Sequence, residues 1–87
     1  MIKVPSMPLP ISDTRVQVLK QIYDMSGKNP LKKIPIKDVK RDLNIIPEGD
    51  VEGWIEYYCQ KEFLKKEDNS KNVCITAKGI DYIESTF

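Results

Sequence analysis

The chain has 87 residues, of which 40% are hydrophobic and 31% are charged, and its formal net charge is +1. This length accommodates one small core, and the hydrophobic content excludes an intrinsically disordered protein. The charges are unevenly placed: residues 1–47 contain nine basic and four acidic residues, whereas residues 48–87 contain five basic and nine acidic ones. The net charge therefore gives no support for nucleic-acid binding, but the basic half can still supply a local positive patch.

The residue types exclude several kinds of site. The chain has no histidine and two isolated cysteines, Cys59 and Cys74, so a Cys/His zinc site is excluded and no metal is expected. The cysteines are expected to be reduced thiols, with a disulfide between them as the less favoured alternative. Neither a phosphate-cradling glycine loop nor a nucleophile elbow occurs, so we expect neither an enzyme nor a cofactor. No apolar run reaches the ~20 residues of a membrane helix, and no signal peptide is evident, which favours a cytoplasmic protein without a membrane partner.

The predicted elements begin after a proline-containing segment. Residues 1–11 contain apolar residues separated by three prolines, which disfavour a helix. They predict an extended arm, which is either a disordered tail or packs along the domain or a second subunit. A first helix is predicted to begin near Ser12 or Asp13, either of which can cap it, and to stop at Gly27. Its buried face is predicted to contain Val16, Leu19, Ile22, Tyr23 and Ser26.

Two shorter helices are predicted to follow. Ile34 is predicted to form a short strand, and Pro35 suits the first turn of a second helix. The buried face of this helix is predicted to contain Ile36, Val39 and Leu43. A third helix is predicted from about Pro47 to Lys61. Its inner face is predicted to contain Val51, Ile55 and Tyr58.

The last third of the chain predicts a β-hairpin and then a helix. A strand opens at Phe63 and Leu64, residues 68–72 are turn formers, and residues 73–75 form the returning strand. Thr76 is predicted to cap a final helix, because its hydroxyl can accept a hydrogen bond from an exposed backbone amide.

The order helix, strand, helix, helix, hairpin, helix is that of a winged helix-turn-helix domain. Residues 51–64 resemble the recognition helix and following strand of bacterial and archaeal regulators of the MarR, PadR and ArsR type. Residues 75–79, Ile-Thr-Ala-Lys-Gly, are similar to the Leu-Thr-x-x-Gly signature at the start of their final helix. The resemblance implies a mostly helical α+β winged-helix domain over residues 12–87, with a three-helix core, a two-stranded wing and a C-terminal helix. Many such regulators have glycine where this chain has Glu62, so Glu62 either adopts a glycine-like turn or the helix ends differently.

The third helix carries charges that disagree with a usual DNA contact. In DNA-binding relatives the exposed face of this helix enters the major groove. Here that face contains four acidic residues and no basic one, and phosphates repel carboxylates. Helix-dipole stabilisation in the first turn accounts for Glu48, Asp50 and Glu52, but poorly for Glu56.

Two functions remain open on this frame. The leading hypothesis is a DNA-binding or transcription-associated module in which helix two and the wing contact phosphates of duplex DNA. The residues predicted to bind nucleic acid are Lys32, Lys33, Lys37, Lys40, Arg41, Lys65, Lys66 and Lys71. A solvated lysine face is the alternative interpretation of these residues. The competing function is a protein-interaction module, pairing as a homodimer or with another protein, that has lost DNA binding. Its predicted interface residues are Glu52, Trp54, Glu56 and Tyr57.

Overall fold

The computed structural model describes residues 14–86, which form four helices and a three-stranded antiparallel sheet. The elements in chain order are α1 (Thr14–Ser26), β1 (Ile34–Pro35), α2 (Ile36–Asp42), α3 (Glu48–Gln60), β2 (Leu64–Glu67), β3 (Asn72–Ile75) and α4 (Ala77–Thr86). The predicted mostly helical α+β fold is confirmed. The predicted arm over residues 1–11 and the helix start at Ser12 or Asp13 lie outside the described residues.

The sheet has the strand order β1-β3-β2, so the last strand in sequence lies between the other two. Ile34 is opposite Val73 in one pair of strands, and Leu64 is opposite Ile75 in the other. Several boundaries differ from the prediction. The strand β2 begins at Leu64 rather than Phe63, and α2 ends at Asp42, so Leu43 follows the helix and is half-buried. Asn72 pairs within β3 rather than in the turn, and Pro35 belongs to the edge strand β1, where a missing N–H is tolerated.

The core joins α1, α2 and α3 to the sheet. Its most deeply buried side chains, each at most 1% exposed, are Val18, Leu19, Ile22, Ile34, Val39, Val51, Ile55, Val73 and Ile75. The predicted inner face of α1 is partly wrong, because Val18 is fully buried whereas Val16 and Tyr23 are half-buried. The buried residues of this helix are Val18, Leu19, Ile22 and Ser26. The helix then stops at Gly27, whose φ of 60° is the predicted left-handed conformation.

The end of α3 resolves the question raised by Glu62, which adopts a left-handed φ of 69°. The Phe63 amide donates to the Tyr58 carbonyl at 2.9 Å, and the Glu62 amide donates to the Cys59 carbonyl at 3.0 Å. These two bonds define a Schellman motif, and the stacked rings of Tyr58 and Phe63, 6.1 Å apart, supply its apolar contact. A non-glycine residue in this conformation costs about 1 kcal/mol, which the two bonds and the ring contact offset.

The junction between β3 and α4 is built on Thr76. Its hydroxyl donates to the Glu62 carbonyl at 2.6 Å and accepts a hydrogen bond from the Gly79 amide at 3.0 Å. The Thr76 amide also donates to the Phe63 carbonyl at 2.9 Å. The predicted cap is therefore confirmed, and the same side chain fastens α4 to the end of α3.

Candidate nucleic-acid interface

A groove of about 1100 Å³ separates the start of α2, the outer face of α3 and the β2–β3 hairpin. We call this concavity the charged groove. Four lysines line it, Lys37 and Lys40 from α2, Lys66 from β2 and Lys71 from the hairpin turn. It therefore collects half of the residues predicted to bind nucleic acid from two separate parts of the chain.

A short set of backbone and side-chain bonds fixes the end of the groove. The Ile36 amide donates to the Lys71 carbonyl at 3.0 Å, which joins the start of α2 to the hairpin turn. Within the turn, the Asn72 amide group donates to an Asp68 carboxylate oxygen at 2.6 Å. This bond lowers the pKa of the Asp68 carboxyl most, and a hydrogen bond from the Lys33 ammonium group is the second cause of the lowering. Lys37 and Lys71 are thus carried by segments that are bonded directly to each other.

Two of the groove lysines are bound to carboxylates of α3. The Lys40 ammonium forms an ion pair with Glu52 and lies 4.0 Å from Glu48. The Lys66 ammonium is 2.6 Å from a carboxylate oxygen of Glu56. Glu52 and Glu56 are therefore paired with lysines of the neighbouring walls, whereas Asp50 of the same helix forms no ion pair among residues 14–86.

The two ion pairs shift the pKa values of their members. The hydrogen bond from Lys40 lowers the pKa of the Glu52 carboxyl. The hydrogen bond to Glu56 raises the pKa of Lys66, against the opposing effect of burial. Because both carboxylates are largely exposed to solvent, each pair contributes little to stability.

The other two groove lysines form no direct ion pair. Neither Lys37 nor Lys71 forms an ion pair with any residue of the described range 14–86, although both line the groove. The Lys37 ammonium group is therefore available to an external anion without displacing an internal one. Lys71 is influenced by the nearby Asp68 carboxylate, which also lines the groove but is bonded directly to Asn72 and Lys33.

The remaining predicted residues do not join the groove. Lys33 pairs with Asp68 at 3.3 Å and Lys65 pairs with Glu67 at 3.4 Å. Arg41 is 3.2 Å from Asp38 on its own helix. Lys32 is in the loop after α1 and forms no ion pair over residues 14–86. None of these four residues lines the groove.

Sequence reasoning missed the part played by two glycines of α3. Gly49 and Gly53 line the groove, and a Cβ atom built at either position meets nothing within 4 Å. Each glycine weakens the helix by about 1 kcal/mol relative to alanine, and no neighbouring described atom requires it. Their spacing of four residues was the available sequence signal. It places both glycines on one helix face, where the backbone is exposed toward the groove.

The residues predicted for protein interaction are divided by the structure. Glu52 and Glu56 line the groove, but Trp54 and Tyr57 do not. The two aromatic rings are half-buried and meet edge to face, with centroids 5.5 Å apart. The Arg15 guanidinium lies 5.8 Å from the centre of the Trp54 ring, and the Lys61 ammonium lies 5.6 Å from the centre of the Tyr57 ring. These aromatic side chains support the edge of the core instead of forming one acidic and aromatic surface.

Cys59 and Cys74 are both free thiols, as expected, so the disulfide alternative is wrong for this structure. Burial is the main cause that raises the pKa of each thiol. Raised values keep both groups protonated near neutral pH and make them poor nucleophiles. Within residues 14–86, no cluster of three or more Cys, Asp or Glu side chains could hold a metal ion.

No protein-family model matches the chain, and comparisons with curated proteins and with solved structures gave no match. None of the helices between residues 14 and 86 combines the length and the apolar character that crossing a membrane requires.

Proposed function

We propose that this chain is a winged-helix domain that binds duplex DNA by its phosphates along the charged groove. The element order, the antiparallel sheet order β1-β3-β2 and the resemblance of residues 75–79 to the regulator signature support the winged-helix assignment. In this assignment α2 and α3 are the helix-turn-helix pair, and the β2–β3 hairpin is the wing.

One observation carries the DNA-binding proposal: Lys37 and Lys71 lie on directly bonded segments at the groove and form no direct ion pair with a carboxylate among residues 14–86. Phosphate contacts by lysine supply most of the affinity of sequence-independent DNA binding. Such contacts position a protein on the duplex without reading bases. Lys37 from helix two and Lys71 from the wing are therefore the primary phosphate contacts.

The outer face of α3 fits a weak role in base recognition. Gly49 and Gly53 provide no side chain for hydrogen bonds to base edges, but they allow the helix backbone to approach the duplex closely. Glu52 and Glu56 are bound to lysines and are poorly suited to a surface lined by phosphates. We therefore expect affinity that depends steeply on salt and only weakly on DNA sequence.

Replacing Lys37 and Lys71 together by glutamine tests this proposal. We expect the double variant to bind a mixed-sequence DNA duplex about tenfold more weakly at low salt. The slope of log K against log salt should also fall by about 2, because each phosphate-binding lysine contributes about 1 to it. Fluorescence anisotropy over a series of salt concentrations measures both quantities.

The matched control replaces Lys20 and Lys78 by glutamine, which removes the same charge from positions outside the groove. This control should leave the slope close to that of the unmodified protein. Absence of binding to mixed-sequence duplex at low salt, or equal weakening by both double variants, would show that the groove is not a phosphate-binding surface.

A further inference from the structure

We propose that Glu52 and Glu56 limit the affinity for DNA, because their carboxylates bind two lysines that would otherwise contact DNA phosphates. This inference rests on the proposed function, because it concerns the same groove. Lys40 and Lys66 are the lysines concerned, and each is bound to one of the two glutamates. In the free protein α3 therefore acts as a competitor of the ligand.

Burial of the lysines supports a role beyond a chance surface contact. The side chain of Lys40 is 20% exposed and that of Lys66 is 31% exposed, whereas their partners Glu52 and Glu56 are 60% and 55% exposed. The lysines are thus more enclosed than the glutamates that bind them. Because the carboxylates are exposed to solvent, a phosphate oxygen can compete with each of them for its lysine.

Helix stability alone does not account for these two acids. Carboxylates favour the helix dipole only within the first turn, and in this structure that turn contains Glu48 and Asp50. Glu52 is the fifth residue of α3 and Glu56 the ninth. They lie four residues apart, which places them on neighbouring positions of one helix face with Cβ atoms about 5–6 Å apart.

This arrangement favours a ligand with several linked anions. A nucleic-acid backbone presents successive phosphates, so phosphates held by Lys37 and Lys71 bring others beside Lys40 and Lys66, where they compete with Glu52 and Glu56. A single inorganic phosphate lacks this linkage and binds at Lys37 or Lys71 without displacing either carboxylate. The internal ion pairs therefore reduce binding at Lys40 and Lys66 and favour a polyanion over a single anion.

Replacing both glutamates by glutamine tests the inference directly. We expect the double variant Glu52→Gln and Glu56→Gln to bind a mixed-sequence DNA duplex about tenfold more tightly at low salt. Its salt slope should also be steeper, because Lys66 then has no ion-pair partner among residues 14–86 and Lys40 keeps only Glu48, 4.0 Å away. The control replaces Asp24 and Asp81 by asparagine, which raises the net charge equally on α1 and α4, outside the groove.

A second pair of variants attributes the gain to the two lysines. When Lys40 and Lys66 are also replaced by glutamine in the variant Glu52→Gln and Glu56→Gln, the gain in DNA affinity should be lost. The same two lysine substitutions should have less effect in the unmodified protein. The difference between these two effects is the coupling of a double-mutant cycle. Thermal unfolding of each variant checks that the glutamines, which are on the exposed face, leave the fold intact.

The outcomes separate this inference from the proposed function. If the unmodified protein binds and the glutamine variant of α3 gains no more than the asparagine control, the inference is wrong and the proposed function stands. If the unmodified protein does not bind but the glutamine variant does, the inference stands and the proposed function of the native chain fails. If neither binds, both are wrong.

Discussion

Replacing Gly79 with alanine is expected to lower the free energy of unfolding by about 3 kcal/mol, the upper part of the range for overpacking a buried site. Gly79 lies in the first turn of α4, directly against the turn that ends α3. A Cβ atom at this position would collide with the Phe63 carbonyl oxygen and lie 3.0 Å from Cγ1 of Ile75. Relief requires moving the backbone that Thr76 fastens, so the hydrogen bonds at the junction are weakened as well. Urea denaturation measures the loss.

Gly53→Ala provides the matched control, because it makes the same change in a helix where a Cβ meets nothing within 4 Å. It should raise the free energy of unfolding by about 0.5–1 kcal/mol, since alanine favours a helix interior over glycine. Equal effects of the two substitutions would mean that α4 does not pack against the end of α3 as described.

The second large effect is expected for Leu19→Ala in the centre of α1. Leu19 has no exposed surface, and truncating a fully buried leucine removes apolar contacts and leaves a cavity. We expect a loss of about 3 kcal/mol, which is a large part of the stability of a domain of this size. Urea denaturation with tryptophan fluorescence measures it, because Trp54 is the only tryptophan.

Leu31→Ala makes the identical chemical change at a side chain that is 84% exposed. Its effect should lie within about 0.5 kcal/mol of zero, as for other surface substitutions. A loss of similar size at both positions would contradict the burial of Leu19 in the core.

Local features of the sequence predicted most of the fold because they act through their immediate neighbours. Gly27 ends α1 by its own backbone conformation, and Thr76 caps α4 by a bond to the amide three residues later. The inner face of α1 was harder to predict. Val16 and Val18 are both apolar and both compatible with helical spacing, so only the positions of the sheet and α3 decide which one is buried.

The candidate site was predicted only in part, because its charges are paired over a distance. The sequence indicates a basic run and an acidic helix as separate features. Lys40 and Glu52 are twelve residues apart, and Glu56 and Lys66 are ten apart, so each pair depends on how α2, α3 and β2 pack together. The number of charges along the chain therefore does not distinguish Lys40 from Lys37. In the structure Lys40 is paired with a carboxylate, whereas Lys37 forms no ion pair among residues 14–86.

The most direct test of the account is a titration of the isotope-labelled protein with a mixed-sequence DNA duplex, followed by the backbone amide chemical shifts. If the charged groove binds phosphates, the largest shifts will occur at the groove residues Lys37, Gly49, Gly53 and Lys71, and they will reverse when salt is added. Shifts confined to α4 and the outer side of α1, or none in excess duplex at low salt, would contradict the assignment of DNA binding to this groove.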